Sequence, residues 1–170
     1  MALRPGRTTR TVKRPYTRIS RRKPKESYVV GVPQPKIHQF EMGTKGEYTA
    51  TLHLIAERPV QIRHNALEAA RIVMNKFLEK KIGLNFFLKI LVFPHHVIRE
   101  KPIATGAGAD RYSRGMRLSF GKPAAMAVQI KSGQRMVTLH INKENVKIGR
   151  QALKKAGLKL PTPVKVVVEE

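Results

Sequence analysis

Ten Lys or Arg and no Asp or Glu fall within the first 25 residues, MALRPGRTTRTVKRPYTRISRRKPK. No other feature limits the folding of this chain so strictly. The ten are Arg4, Arg7, Arg10, Lys13, Arg14, Arg18, Arg21, Arg22, Lys23 and Lys25. Large apolar residues are too sparse there to bury a core, and Pro5, Pro15 and Pro24 interrupt any helix. The segment is predicted to be an arm that orders only against a partner or against the rest of the protein. A solvated tail is the plain alternative. Like charges with no acid among them favour an arm bound to a polyanion.

Residues 26–170 carry the apolar content that the arm lacks. The chain of 170 residues is 41% apolar, enough for one domain with a core and short for two. Residues 26–46 are irregular, with Pro33 and Pro35 favouring extended backbone. EYTATLHLIAE (47–57) alternates, which predicts a strand with Tyr48, Ala50, Leu52 and Leu54 on its buried side and Thr49, Thr51 and His53 on the other. Residues 65–82 predict a helix with an apolar stripe of Leu67, Ala70, Met74, Phe77 and Leu78. Asn65 suits its N-cap, with Glu68 completing a capping box, and Gly83 suits its stop. NFFLKILVF (85–93) reads as a strand ended by Pro94, and residues 97–101 as a strand that continues into the glycine-rich stretch. AAMAVQIK and RMVTLHI flank Ser132-Gly133-Gln134, a hairpin signature. A second helix is predicted from about Glu144 to Ala156, and a last strand over 164–168. Strands and helices neither alternate strictly nor segregate, so the fold class is α+β with a mainly antiparallel sheet and two helices.

Charge narrows the partners. Against 34 Lys and Arg stand 11 Asp and Glu, a formal charge of +23. A free soluble enzyme gains nothing from such self-repulsion, whereas a protein among phosphates gains counterion release with each one it neutralises. Nucleic acid is the first expected partner and an anionic membrane surface the second. The prolines of the arm argue against the amphipathic helix that a membrane binder needs. No apolar run reaches the roughly 18 to 20 residues that span a bilayer. The basic N-terminus has no apolar stretch of the kind a secretory signal carries. The absence of cysteine excludes disulfides, thiol catalysis and Cys-ligated zinc.

The stretch IATGAGADRYSRGMRLSFGKP (103–123) interleaves Gly106, Gly108, Gly115 and Gly121 with Arg111, Arg114, Arg117 and Lys122. It begins like a dinucleotide fingerprint, but position 111 is Arg and Gly115 interrupts any following helix. It fails as a P-loop as well. Gly115 and Gly121 enclose five residues instead of four, and Lys122 precedes Pro123. What remains is a mobile, basic loop. Loops beyond about 12–15 residues are uncommon in compact domains unless functional or disordered. Each arginine offers phosphate a planar fork, and Tyr112 is a candidate for stacking on a base. The histidines are scattered. His95 and His96 are adjacent in an extended chain and point opposite ways, so half-buried or RNA-facing histidines are favoured over a metal site. Carboxylates are too few for a clear acid/base pair, and neither Ser113 nor Ser119 sits in a G-x-S-x-G elbow.

KRPYTR (13–18), GVPQPKIHQFEMG (31–43), RHNALEAAR (63–71), KIGLNFFLKILVFPHHVIREKP (81–102) and ATGAGADRYSRGMRLSFGKP (104–123) resemble the universal large-subunit ribosomal protein L-sixteen family, called L-ten-e in its archaeal and eukaryotic branch. The resemblance covers nearly the whole chain, and the last two blocks are its most specific. It implies an α/β-hammerhead-like sandwich, with residues 1–25 as an RNA-binding arm, 26–170 as a single α+β domain and 102–123 as a projecting loop. It implies binding to large-subunit rRNA between the peptidyl-transferase region and the site where the tRNA elbow docks, and entry late in subunit assembly. The loop would point toward the peptidyl-transferase centre and the tRNA acceptor end. Because peptidyl transfer is carried by rRNA, the protein would be no enzyme. It would have no cofactor, metal or membrane partner and would form no homo-oligomer, and its place would be the cytoplasmic ribosome. Its partners would be rRNA, tRNA and other ribosomal proteins.

Under this resemblance, the ten arm cations together with Arg111, Tyr112, Arg114, Arg117 and Lys122 are the expected RNA-binding residues. Many eukaryotic members carry cysteines, an early aromatic in the arm and a longer C-terminal tail. RPGRTTR and the final Glu170 therefore resemble the archaeal branch. The rival reading is an RNA-modifying or nucleotide-dependent enzyme, which would need a pocket of convergent acid, base or metal groups.

Overall fold

The computed structural model describes residues 6–10, 16–20, 22–23, 25–113 and 115–169. Arg4, Lys13, Arg14, Arg21 and Arg114, expected above to bind RNA, lie outside the described residues. In chain order the elements are β1 (Glu41–Gly43), β2 (Ala50–Ala56), β3 (Val60–Arg63), α1 (His64–Ile82), β4 (Phe87–Ile90), β5 (His96–Glu100), α2 (Ala109–Tyr112), β6 (Lys122–Ile130), β7 (Arg135–Ile141), α3 (Val146–Gly157) and β8 (Val164–Glu169). Single 3₁₀ turns stand at Gly6–Thr9 and Lys143–Asn145. Five strands pair in the order β1-β4-β7-β2-β8 and three in the order β3-β6-β5, every pair antiparallel. This is the α+β, mainly antiparallel arrangement expected, with two long helices.

The core follows from the two periodicities. Register sets Leu88, Leu139, Leu52 and Val168 in one row across the larger sheet, and Ile90, Val137, Leu54 and Val166 in the next. Leu67, Ala70, Met74 and Leu78 of α1 are buried against this core, as the 3.6-residue period predicts. Gly149, Ala152, Leu153 and Ala156 form the buried stripe of α3. Gly149 lets that helix approach closely, since a Cβ there would meet Ile141, Leu139 and Leu52.

Three expectations need correction. The hairpin over 124–141 does not form. β6 is hydrogen-bonded by β3 on one edge and β5 on the other, so no edge is left for β7, which lies in the other sheet. The turn between them hooks onto the end of β2. There the Gly133 N–H donates to the Ala56 carbonyl (2.8 Å) and the Ser132 hydroxyl to the Glu57 carbonyl (2.7 Å). Nor does Asn65 cap α1. Pairing of Arg63 with Ala127 holds the chain extended as far as Arg63, which becomes the N-cap residue. The helix then starts one residue before Asn65, and Glu68 binds Arg71 instead. The strand predicted to run to Phe93 ends at Ile90. β3 and β1, short and without alternation, carried no period to read.

Gly43 closes β1 at φ +84, and a Cβ there would overlap the Phe86 carbonyl oxygen. The same oxygen accepts the Thr44 N–H at 2.9 Å, so the strand end has no room to shift. Gly43→Ala is expected to lower stability by at least about 2 kcal/mol, combining left-handed strain with overlap. Gly31→Ala, at φ +74 with nothing within 4 Å, is expected to cost only the backbone term of about 1 to 2 kcal/mol. Chemical denaturation of the two variants checks the difference, and equal losses would contradict the Gly43 contact.

Candidate nucleic-acid interface

β5 stands at the edge of the smaller sheet, and the arm takes that edge. The Val97 N–H donates to the Tyr16 carbonyl at 2.7 Å, and Thr17 bridges antiparallel to His96. The chain then turns back on itself. Ile19 bridges Ser27, the Ser20 N–H donates to Glu26 and the Tyr28 N–H to Arg18. The edge N–H of Val97, left unpaired by β6, is thereby satisfied. Farther along, the Gly6–Thr9 turn packs on β3, where the Gln61 amide donates to the Thr8 carbonyl at 2.7 Å. The described residues of the arm thus pack against the body.

Of the predicted arm cations, Arg7, Arg10, Arg18, Arg22, Lys23 and Lys25 are described and exposed. Lys23 pairs with Glu26 at 3.2 Å, and Arg18 donates to the Ser27 hydroxyl at 3.0 Å. The others have no ion pair among the described residues. Unpaired cations on an exposed face keep their full charge available to phosphate.

The glycine stretch joins β5 to β6. Its stem is the antiparallel pair, with Glu100 opposite Lys122 and a register shift after Ile98. Lys122 therefore lies on the stem and not in the loop. Gly106, Gly108 and Gly115 take positive φ and bracket the single helical turn α2, which presents Arg111 and Tyr112. Tyr112 is 85% exposed and Leu118 95%. Leu118 adopts φ +50, a left-handed conformation that costs a branched residue free energy. Met116, Arg117 and Phe120 are exposed as well.

Sequence reasoning missed the junction between arm, sheet and loop. Arg99 contacts two rings, its guanidinium carbon 4.0 Å from the Tyr16 centroid and 4.3 Å from that of Phe120, and the rings meet edge-on at 6.5 Å. Tyr28 meets Tyr16 edge-on at 6.0 Å. Such cation–π contacts contribute about 0.5 to 1 kcal/mol each at exposed sites. Here they tie three segments distant in sequence to one side chain. The available signal was aromatics at 16, 28 and 120 in segments otherwise basic and polar.

Two further aromatic groups lie outside the predicted set. Phe93 stacks on Phe40 at 5.5 Å and meets His95 at 4.7 Å. Phe87 stacks on His140 at 5.8 Å, beside Lys45. His95 is exposed and His96 buried, the opposite orientations expected of neighbours. His53, predicted on the open side of its strand, is 4% exposed. It lies among Thr138, Arg135 and Glu169 at 3.1 to 3.3 Å. Among the described residues, no group of three or more His, Asp or Glu is placed to hold a metal ion. Among the described residues, no helix is long and apolar enough to cross a membrane.

Residues 14–167 match the family model described as ribosomal protein L16p/L10e. The chain is 44% identical to the large ribosomal subunit protein uL16 of Archaeoglobus fulgidus, across 100% of this chain and 95% of that one. It is 45% identical to uL16 of Staphylothermus marinus, across 98% and 94%. To uL16 of Thermofilum pendens it is 42% identical, across 100% and 99%.

Burial is the main cause that lowers the pKa of His64, His96 and His140 below the usual 6.5. Neighbouring groups add to it electrostatically: Arg63 and Lys36 at His64, Arg99 at His96, and His53 and Lys89 at His140. Each binds a proton more readily in the unfolded chain, so unfolding takes up protons below pH about 6.5. Stability from these groups is fully present above that pH and declines as pH falls through the window beneath it. Urea unfolding at pH 7.5 and 5.5 is expected to show a lower midpoint at 5.5 with an unchanged slope. Equal midpoints would contradict the shifts.

Proposed function

Because the chain belongs to the ribosomal protein L16p/L10e family, we propose that it is a structural constituent of the large ribosomal subunit. In this reading it works in the cytoplasmic ribosome among rRNA and other ribosomal proteins. It binds large-subunit rRNA between the peptidyl-transferase region and the tRNA-docking region. The 102–123 loop supports subunit assembly and the placement of the tRNA acceptor end. The reading assigns no chemistry to the protein, since peptidyl transfer belongs to rRNA. The family match over 14–167 carries it. The convergence of the unpaired cations of the arm and the glycine loop on β5 supports it physically, because one rigid strand then presents two basic extensions to one polyanion.

Charge-removing changes in the arm should act through phosphate. Arg7→Ala with Arg10→Ala is expected to weaken binding to large-subunit rRNA and flatten its log–log salt slope by about 0.7 to 0.9 per lost contact. A titration series across salt concentrations measures this, and an unchanged slope would remove those arginines from the interface. Replacing residues 105–116 by a short linker is expected to leave the melting temperature nearly unchanged, because none of the described residues in it is buried. Subunits carrying it should accumulate immature or accommodate tRNA slowly. A collapsed melting temperature would make the loop part of the fold.

A further inference from the structure

A cleft of about 670 Å³ opens between the Gly6–Thr9 turn, the outer half of β5 and the stem of the glycine loop. That volume lies within the roughly 300 to 1,000 Å³ of small-ligand sites. It lies on the face of the smaller sheet crossed by the arm, and three kinds of group line it.

The floor is buried and polar. Gln61 is 3% exposed and His96 8%. The Gln129 amide nitrogen lies 3.4 Å from the Gln61 side-chain oxygen and 3.2 Å from His96 Nδ1. An amide NH₂ only donates, so His96 Nδ1 accepts and its proton resides on Nε2. Nε2 has no hydrogen-bond partner among the described residues. Burial keeps the ring neutral, which preserves this tautomer. A neutral donor thus lines the cleft with no acceptor for its proton among the described residues. The rim is mainly cationic: Arg7, Arg10 and Lys101 line the cleft and form no ion pair among the described residues, against one lining carboxylate, Glu100. The wall is planar, made of the Tyr16 ring and the Arg99 guanidinium that lies on it.

Cationic rim, flat wall and neutral hydrogen-bonding floor match the phosphate, the face and the edge of a nucleotide. We infer that this cleft receives a single unstacked nucleotide, its phosphate between Arg7, Arg10 and Lys101 and an acceptor on its base edge facing His96 Nε2–H. RNA presents such nucleotides in loops and bulges, where bases are splayed out and read on their edges. The inference rests on the rRNA-binding reading above and adds a base-reading site to contacts that otherwise only position phosphate.

The test uses the full chain and large-subunit rRNA. His96→Leu removes the donor and keeps an apolar side chain under the arm. It is expected to weaken binding about tenfold, the usual loss when one buried hydrogen bond goes unmade. The salt slope should not change, since no phosphate contact is lost. One unpaired nucleotide protected from base-specific chemical probing by the wild type should become reactive with the variant. Wild-type affinity and protections in His96→Leu would overturn the cleft site while leaving RNA binding standing. Failure of the wild type to bind the rRNA would overturn the broader reading first. If His96→Leu fails to fold, a photoreactive side chain in place of Met116, which lines the cleft, decides. Crosslinks confined to one unpaired nucleotide support the site, and crosslinks spread over duplex RNA or absent altogether overturn it. Nucleoside monophosphates added alone separate free nucleotide from RNA. Saturable binding that rRNA fails to displace would overturn the inference.

Discussion

The hydrogen bonding of β5 on both edges governs the arrangement that matters for function. One edge pairs with β6, which makes the strand the stem of the glycine loop. The other accepts Tyr16 and Thr17, which brings the arm alongside. A strand with one free edge would leave backbone donors open to water or to other chains. Placing a basic segment on that edge satisfies the Val97 N–H and sets two cationic extensions side by side. Arg99, on the same strand, then meets the rings of both Tyr16 and Phe120, which touch each other edge-on.

The same constraint explains the central misreading of the fold. Ser132-Gly133-Gln134 has the chemistry of a tight turn, and a turn does form there. A turn between alternating runs signals a hairpin only if both strands have an edge free for each other. β6 has none, because β3 and β5 reach it from distant positions. The chain therefore leaves one sheet and enters the other, and the turn anchors on Ala56 and Glu57. Capping of α1 failed for a related reason. Asn65 has the right side chain, but a strand paired up to Arg63 decides where the helix starts.

The candidate interface was partly legible. Unopposed cations at Arg7, Arg10, Arg18, Arg22, Lys25, Arg111, Arg117 and Lys122 announced a polyanion partner, and each is exposed. Lys122 illustrates the limit of linear reading: counted with the loop, it belongs to the stem opposite Glu100. Arg99, Gln61 and His96 gave no signal. A lone arginine in a strand, a glutamine after a proline-bounded turn and one of two adjacent histidines look ordinary until the sheet sets them around one cleft.

By itself the sequence determined the class of partner, the two long helices, one buried face of β2 and the break at the glycine loop. Charge, 3.6- and 2-residue periods and positive-φ glycines are local properties that any short window contains. Tertiary structure alone decided which strands pair, that the arm lies on β5 and that Gln61, His96 and Arg99 share one cleft. Those outcomes turn on competition for sheet edges among segments far apart in the chain, and no local pattern records who wins.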